Sequence, residues 1–249
     1  MYDMYTEKMT YFHDETPCIG FIAYDNQIQT KRPVVLVVHA WRGQDDFARE
    51  KAVEIAELGY IGFAVDIYGD GKCGTNEEAP QLMAPFFADR TLLQERIGAA
   101  LTFVKKHPQV DSNRIGAIGF CFGGLTVYEL LRSGASVQAV VCFHGVFAIE
   151  REGQKAKMAP LSPDASGKLL ILHGHEDPMV SDDDLKRVQN EMTDAGIDWQ
   201  IHIYGNTMHA FTNPAANNPE MGTVYNAISA KRAWHSMQDL FSSSGFLEL

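Results

Sequence analysis

The hexapeptide at 119–124, which reads Gly-Phe-Cys-Phe-Gly-Gly, limits the fold of this chain more than any other feature. Apolar runs flank it at 115–118 and 125–131. A tight turn between a strand and a helix strains its central residue, so the positions two before and two after it must lack side chains. Both are glycine here. The pattern predicts a turn that presents the thiol of Cys121 at a helix N-terminus, where unpaired N–H groups favour the thiolate.

Apolar, strand-like runs alternate with amphipathic, helix-like segments along the chain. The strand-like runs are 20–23, 34–38, 62–65, 115–118, 139–143, 169–172 and 199–203. The helix-like segments are 47–58, 90–106, 125–132, 182–195 and 226–240. Strands buried on both faces of a parallel sheet are apolar throughout. The alternation predicts an α/β fold with a doubly wound, mostly parallel sheet and helices on both faces. The irregular stretch 69–85 is expected to be a loop over the C-terminal edge of the sheet, where it helps to cap a pocket.

Composition restricts the possible partners. The chain has 249 residues, of which 45% are hydrophobic, and shows no linker or repeat, so one domain over 1–249 is expected. A net charge of −11 without a basic cluster argues against nucleic acid and membrane partners. No apolar run is long enough to span a bilayer and the N-terminus lacks the features of a secretion signal, so a cytoplasmic location is expected. The sequence carries no signal for an oligomeric state.

The residues that follow predicted strands are the candidates for chemistry, because ligands of open parallel sheets bind at the C-terminal edge. Cys121, Asp177 and His209 each follow such a strand. Their order of nucleophile, acid and histidine is one known for catalytic triads. His209 would take the proton of Cys121 or pair with its thiolate, and Asp177 would fix the tautomer of the imidazole.

The same chemistry needs two N–H donors for the developing oxyanion. The backbone amides of Phe122, next to the nucleophile, and Trp41, in the loop after 34–38, are the candidates. Side chains expected to bind substrate are Tyr68, Arg90, Met179 and Phe211. The reaction requires no metal and no organic cofactor.

Each candidate also has a simpler interpretation. Asp177 precedes a proline and could cap a helix that starts near Ser181. His209 could be a loop histidine held by backbone groups. His173 and His175 form an H-x-H pair, but no further ligand completes a metal site in the sequence, and none of the four cysteines has metal-site or disulfide spacing. Structural hydrogen bonds or simple packing are expected for the other strand-end residues, His39, His144 and Cys142.

Several motifs together carry a family resemblance. They are Gly-Phe-Ile-Ala at 20–23, His-Ala-Trp-Arg-Gly at 39–43, Asp-Ile-Tyr-Gly at 66–69, the hexapeptide at 119–124, His-Gly-His-Glu-Asp-Pro at 173–178 and His-Ala-Phe at 209–211. With them the chain resembles the dienelactone hydrolase family of α/β hydrolases. The resemblance implies a single-domain α/β-hydrolase fold. It also implies a triad of Cys121, Asp177 and His209 that hydrolyses small esters or lactones through an acyl-thiol intermediate.

Two positions depart from the lactone-cleaving members of that family. Those members hold a glutamate against the resting cysteine, where this chain has Ala40, and an arginine soon after the histidine, where it reads Ala-Phe-Thr-Asn at 210–213. Arg42 and Arg90 are the remaining candidates for a positive charge that would bind a substrate carboxylate. The aromatic and methionine residues expected near the site favour an apolar or aromatic acyl ester, with thioester or phosphoester cleavage as a side activity.

Two other functions fit the same residues. A ligand-binding or redox-sensing protein could use the thiol of Cys121 without turnover. A peptidase is the weaker alternative, because the sequence contains no added domain that would gate peptides. An acylation burst at Cys121 would distinguish a hydrolase from a sensor.

Overall fold

An eight-stranded sheet lies at the centre of the computed structural model, which describes residues 3–151 and 153–246. The strands are β1 (Met4–His13), β2 (Thr16–Asp25), β3 (Arg32–Val38), β4 (Ile61–Val65), β5 (Val110–Phe120), β6 (Ala139–Phe143), β7 (Glu150–Arg151), β8 (Gln154–Lys155), β9 (Lys168–Gly174), β10 (Asp198–Tyr204), β11 (Asn217–Asn218) and β12 (Thr223–Val224). The helices are α1 (Asp46–Glu57), α2 (Ala79–Ala88), α3 (Arg90–Val104), α4 (Phe122–Arg132), α5 (Asp182–Asp194) and α6 (Ala227–Ser243).

The sheet has the order β1-β2-β4-β3-β5-β6-β9-β10. β2 pairs antiparallel with both β1 and β4, and every later pairing in this order is parallel. Two short antiparallel ladders, β7 with β8 and β11 with β12, lie outside it. The predicted doubly wound, mostly parallel sheet is confirmed.

Two apolar layers cover the faces of the sheet, because successive side chains of a strand point to opposite faces. In β3 every residue is buried, with Leu36 in one layer and its neighbours Val35 and Val37 in the other. Apolar residues of α1 and α6 belong to the second layer, and those of α2 to α5 belong to the first. Each fully buried valine or leucine contributes about 1.5–3 kcal/mol of burial free energy.

Two elements differ from the expectations of the sequence. β1 was not predicted, because it lies at the edge of the sheet and most of its residues are exposed or half-buried, which removes the apolar signal. α2 occupies the end of the stretch expected to be a loop. Pro80 lies in its first turn, where a missing N–H does no harm, and Pro85 lies inside it. Because proline usually indicates a loop, these two residues led to the wrong prediction for the part of the stretch that forms α2.

The crossovers of the sheet determine where a site can form. β3 leads through α1 to β4 on one side, whereas β5 leads through α4 to β6 on the other. The loops after β3 and β5 therefore diverge and leave a crevice at their C-terminal ends. Within the described ranges, no helix is long and apolar enough to cross a membrane.

Candidate active site

Cys121 occupies the turn between β5 and α4 and has a left-handed φ of 56° with ψ of −115°. Backbone strain of this kind costs about 1–3 kcal/mol in a residue other than glycine. A Cβ on Gly119 would lie 2.0 Å from the carbonyl oxygen of Gly123, and one on Gly123 would lie 2.2 Å from that of Val38. The turn therefore has the geometry that the hexapeptide predicts. It places a half-buried thiol at the N-cap of α4.

His209 and Asp177 form a buried pair at the ends of β10 and β9. The Nδ1 atom of His209 lies 2.7 Å from Oδ2 of Asp177, and the imidazole is 1% exposed. The Nε2 atom of His209 is buried and makes no hydrogen bond of standard geometry within the described ranges, but the side chain of Cys121 lies close enough to act as its hydrogen-bond partner. Burial disfavours the charged imidazole, but the charge of Cys121 and the bond to Asp177 outweigh it and raise the pKa of His209 to about 10. The structure thus couples the protonation of His209 to Cys121.

Backbone hydrogen bonds hold the two loops of this pair. The amide of His209 donates to Gly222, and its carbonyl accepts from Val224, so the β11–β12 hairpin fixes the histidine on both sides. Asp177 does not cap α5, because the N-cap is Ser181 with a complete capping box. Its Oδ1 accepts from the amide of Met179 instead, which leaves Oδ2 for the imidazole.

The two amides expected to stabilise an oxyanion are unengaged. Neither the N–H of Trp41 nor that of Phe122 donates a hydrogen bond within the described ranges. The hydroxyl of Tyr68 donates to the carbonyl of Trp41 at 2.6 Å, and the Tyr68 ring stacks on Phe122 at a centroid distance of 5.9 Å. Tyr68 therefore braces the loop after β3 against the start of α4.

The four side chains expected to bind substrate lie in different environments. Met179 is half-buried, and Tyr68 is buried with a pKa raised first by burial and then by the charge of Cys121. Arg90 has no exposed surface, and its Nε atom lies 3.9 Å from the Glu129 carboxylate. Burial lowers the pKa of Arg90 to about 10. Phe211 is equally buried, so neither Arg90 nor Phe211 offers surface to a ligand in this conformation.

Two residues near the thiol were given no part in the site by the sequence. The Nδ1 atom of His144 lies 3.1 Å from the amide nitrogen of Cys121, and its Nε2 atom lies 2.8 Å from the hydroxyl oxygen of Thr212. A histidine directly after a strand predicted a structural hydrogen bond, but its partners are 23 and 68 residues away in the sequence. No local pattern identifies such partners.

The H-x-H pair does not assemble a metal site in the described ranges, where no group of three or more histidine, cysteine or acidic side chains could hold an ion. His173 is buried at the end of β9, whereas His175 is exposed. Cys142 packs in the core, and its thiol donates to the carbonyl of Gly124 at 3.1 Å.

A mostly parallel sheet that presents a strained residue between its central strand and the following helix is the hallmark of the α/β hydrolases, and the fold places the chain in that class. Residues 20–245 match the model of the dienelactone hydrolase family, and the chain belongs to that family.

Three relatives show the range of the similarity. The dienelactone hydrolase-like promiscuous phosphotriesterase P91 from metagenomic libraries superposes with a TM-score of 0.89 at 34% identity, over 96% of this chain and 98% of that one. A probable 2-oxo-3-(5-oxofuran-2-ylidene)propanoate lactonase of Bradyrhizobium sp. is 25% identical over 82% of this chain and 81% of its own length. A putative carboxymethylenebutenolidase of Aquifex aeolicus is 25% identical over 85% and 88%.

Proposed function

We propose that this dienelactone hydrolase-like protein cleaves small carboxylic esters or lactones by covalent catalysis at Cys121. One observation carries the proposal: the Asp177 carboxylate orients the buried imidazole of His209, and the interaction of that imidazole with the Cys121 side chain raises its pKa. A histidine oriented by a carboxylate and charged by a neighbouring thiolate is the arrangement that activates a nucleophilic cysteine.

The reaction would begin with attack of the Cys121 thiolate on the substrate carbonyl, which forms a carbon–sulfur bond and a tetrahedral oxyanion. The free N–H groups of Phe122 and Trp41 would donate hydrogen bonds to that oxyanion. Collapse breaks the carbon–oxygen bond, and the His209 imidazolium gives its proton to the leaving alkoxide. Neutral His209 then takes a proton from water, whose attack on the thioester releases the acid and restores the thiolate. Asp177 holds the imidazole in the required tautomer throughout.

Stopped-flow release of p-nitrophenol from its acetate and butyrate esters tests this proposal, together with opening of a cyclic enol lactone. Native protein should give a burst equal to the enzyme concentration, followed by turnover. Cys121→Ala should give neither, and Cys121→Ser should be strongly impaired because an alcohol is far less ionised than a thiol. Turnover that survives in Cys121→Ala would refute the assignment. Alkylation of Cys121 without any turnover would favour the redox-sensing or ligand-binding alternative.

Phosphotriester cleavage is a second candidate activity, favoured by the 34% identity to the promiscuous phosphotriesterase. The same thiolate would attack phosphorus and break the bond to the aryloxide, which leaves with the proton of His209, and water would then hydrolyse the phosphorus–sulfur bond and restore the thiolate. The two amides would face the phosphoryl oxygen. Diethyl p-nitrophenyl phosphate gives the same chromophore as the esters, so both rates can be measured in one assay. Loss of both activities in Cys121→Ala would assign them to one site, whereas loss of the esterase alone would reject the shared mechanism.

A further inference from the structure

His144 lies beside the candidate triad, where the C-terminal ends of β5, β6 and β9 meet. It directly follows β6, and its backbone amide donates to the carbonyl of Leu172 in β9 at 2.8 Å. Its ring is 2% exposed and meets the ring of His209 edge-on, at a centroid distance of 5.0 Å. The side chain therefore contacts both the nucleophile turn and the histidine loop.

The hydrogen bonds of His144 determine its tautomer. The backbone N–H of Cys121 can only donate, and it is shared between the carbonyl oxygen of Phe143 at 3.0 Å and Nδ1 of His144 at 3.1 Å, so Nδ1 is an acceptor and carries no proton. The neutral ring then carries its proton on Nε2, which donates to the hydroxyl of Thr212 at 2.8 Å. Burial, followed by the charges of His209 and His173, holds the pKa of His144 well below its usual value. His144 thus stays neutral beside a charged His209.

From this geometry we propose that His144 is a positioning residue that links the nucleophile to the loop of the general base. One side of its ring accepts the Cys121 N–H and so helps to orient the peptide between Phe120 and Cys121. That peptide directly precedes the one that carries the Phe122 N–H. The other side holds Thr212, three residues after His209. The link sets the separation between the thiol and Nε2 of His209. This proposal rests on the proposed function, because that separation affects kcat only if the protein turns over substrate.

The backbone conformation guides the choice of variants. His144 has a left-handed φ of 41°, which asparagine tolerates better than most residues. In His144→Asn the amide oxygen can replace Nδ1 as acceptor, whereas His144→Phe keeps an aromatic ring, slightly larger than imidazole, and loses both polar atoms. Thr212→Val replaces the hydroxyl by a methyl of similar size, whereas Thr212→Ser keeps the hydroxyl and loses the methyl. The Thr212 pair leaves residue 144 intact, so it tests the link even if His144→Phe does not fold.

Steady-state kinetics on a p-nitrophenyl ester would measure the effect of each variant. We expect His144→Phe to lower kcat by roughly 10²-fold with KM nearly unchanged, as a displacement of about 1 Å at a reacting centre does. His144→Asn should recover about tenfold of that loss, and Thr212→Val should lose about tenfold and Thr212→Ser much less. Full kcat in Thr212→Val, or a lowered melting temperature with full kcat in His144→Phe, would overturn the proposal.

Two measurements remain decisive if the protein hydrolyses no ester at all. In ¹⁵N-histidine-labelled protein, the side-chain shifts of His144 should show the neutral Nε2–H tautomer from about pH 5 to pH 9. The rate at which iodoacetamide alkylates Cys121 should fall severalfold in Thr212→Val and return in Thr212→Ser. An Nδ1–H tautomer, an imidazolium at neutral pH or identical alkylation rates would refute the role of His144. Absence of turnover in native protein would refute only the proposed hydrolase.

Discussion

Replacing Gly123 by alanine perturbs the nucleophile turn with the smallest possible change. The added Cβ would lie 2.2 Å from the carbonyl oxygen of Val38 and 2.6 Å from that of His39. Both neighbours are backbone atoms at the end of β3, so no flexible side chain can move aside. Either the first turn of α4 or the end of β3 must therefore shift.

The size of the shift follows from the distances. Ordinary contact begins at 3.4 Å, so the two groups must separate by about 1 Å along the line to Val38. Overpacking of this kind costs roughly 1–3 kcal/mol of stability, which exceeds the 0.5–1 kcal/mol that alanine gains over glycine in a helix. The shift also displaces the neighbouring Phe122 N–H and the Cys121 thiol. A misplacement of about 1 Å lowers kcat by roughly 10²-fold.

Gly98→Ala is the matched control. Gly98 lies inside α3, and no atom of the described residues lies within 4 Å of the Cβ it would gain. That variant should be neutral or more stable by up to about 1 kcal/mol, with unchanged turnover. Guanidinium unfolding and p-nitrophenyl ester kinetics on both variants provide the comparison. Native kcat in Gly123→Ala would show that the turn tolerates a side chain, and that the close approach to β3 does not fix the nucleophile.

Three other changes have defined outcomes. Asp177→Asn should lower kcat by about 10³–10⁴-fold with little change in KM, since an amide favours the wrong tautomer of His209, and ester kinetics with circular dichroism would check it. Because the pKa of His209 is raised from 6.5 to about 10, its contribution to stability is complete below pH 6.5 and is lost as pH rises towards 10. Unfolding free energy should therefore fall over that range more in native protein than in His209→Gln, and equal slopes would contradict the coupling. Arg132→Met removes the guanidinium that lies 2.8 Å from the buried carboxylate of Glu129, which keeps Gln94 at 2.8 Å and Arg90 at 3.9 Å, and should cost about 3 kcal/mol in urea unfolding. Lys72→Met, which breaks an exposed pair, should cost less than about 1 kcal/mol, and equal losses would refute the difference in burial.

The sequence located the strand ends that form the site, but not the contacts between them. Cys121 could be found because the turn requires glycines at fixed positions, and a requirement of this kind is local. The role of Arg90 could not be judged, because its burial against Glu129 depends on how α3 packs on α4. The link from His144 to Thr212 was hidden for the same reason. It joins residues 68 positions apart that only the finished sheet brings together.

Three residues with strained backbone lie at or beside the candidate nucleophile and its histidine loop. Cys121, His144 and Ala210 have positive φ values of 56°, 41° and 55°, and each such conformation costs about 1–3 kcal/mol in a residue other than glycine. Together this strain is a large part of the roughly 5–15 kcal/mol that stabilises a typical domain, so the surroundings must hold these residues firmly. Backbone hydrogen bonds to buried strand ends hold two of these residues: the Cys121 N–H donates to the carbonyl of Phe143, and the His144 N–H donates to the carbonyl of Leu172. Catalysis without a cofactor depends on dipoles that cannot reorient. The apolar strands that offset the strain therefore also keep the amides and the imidazole aligned for the proposed reaction.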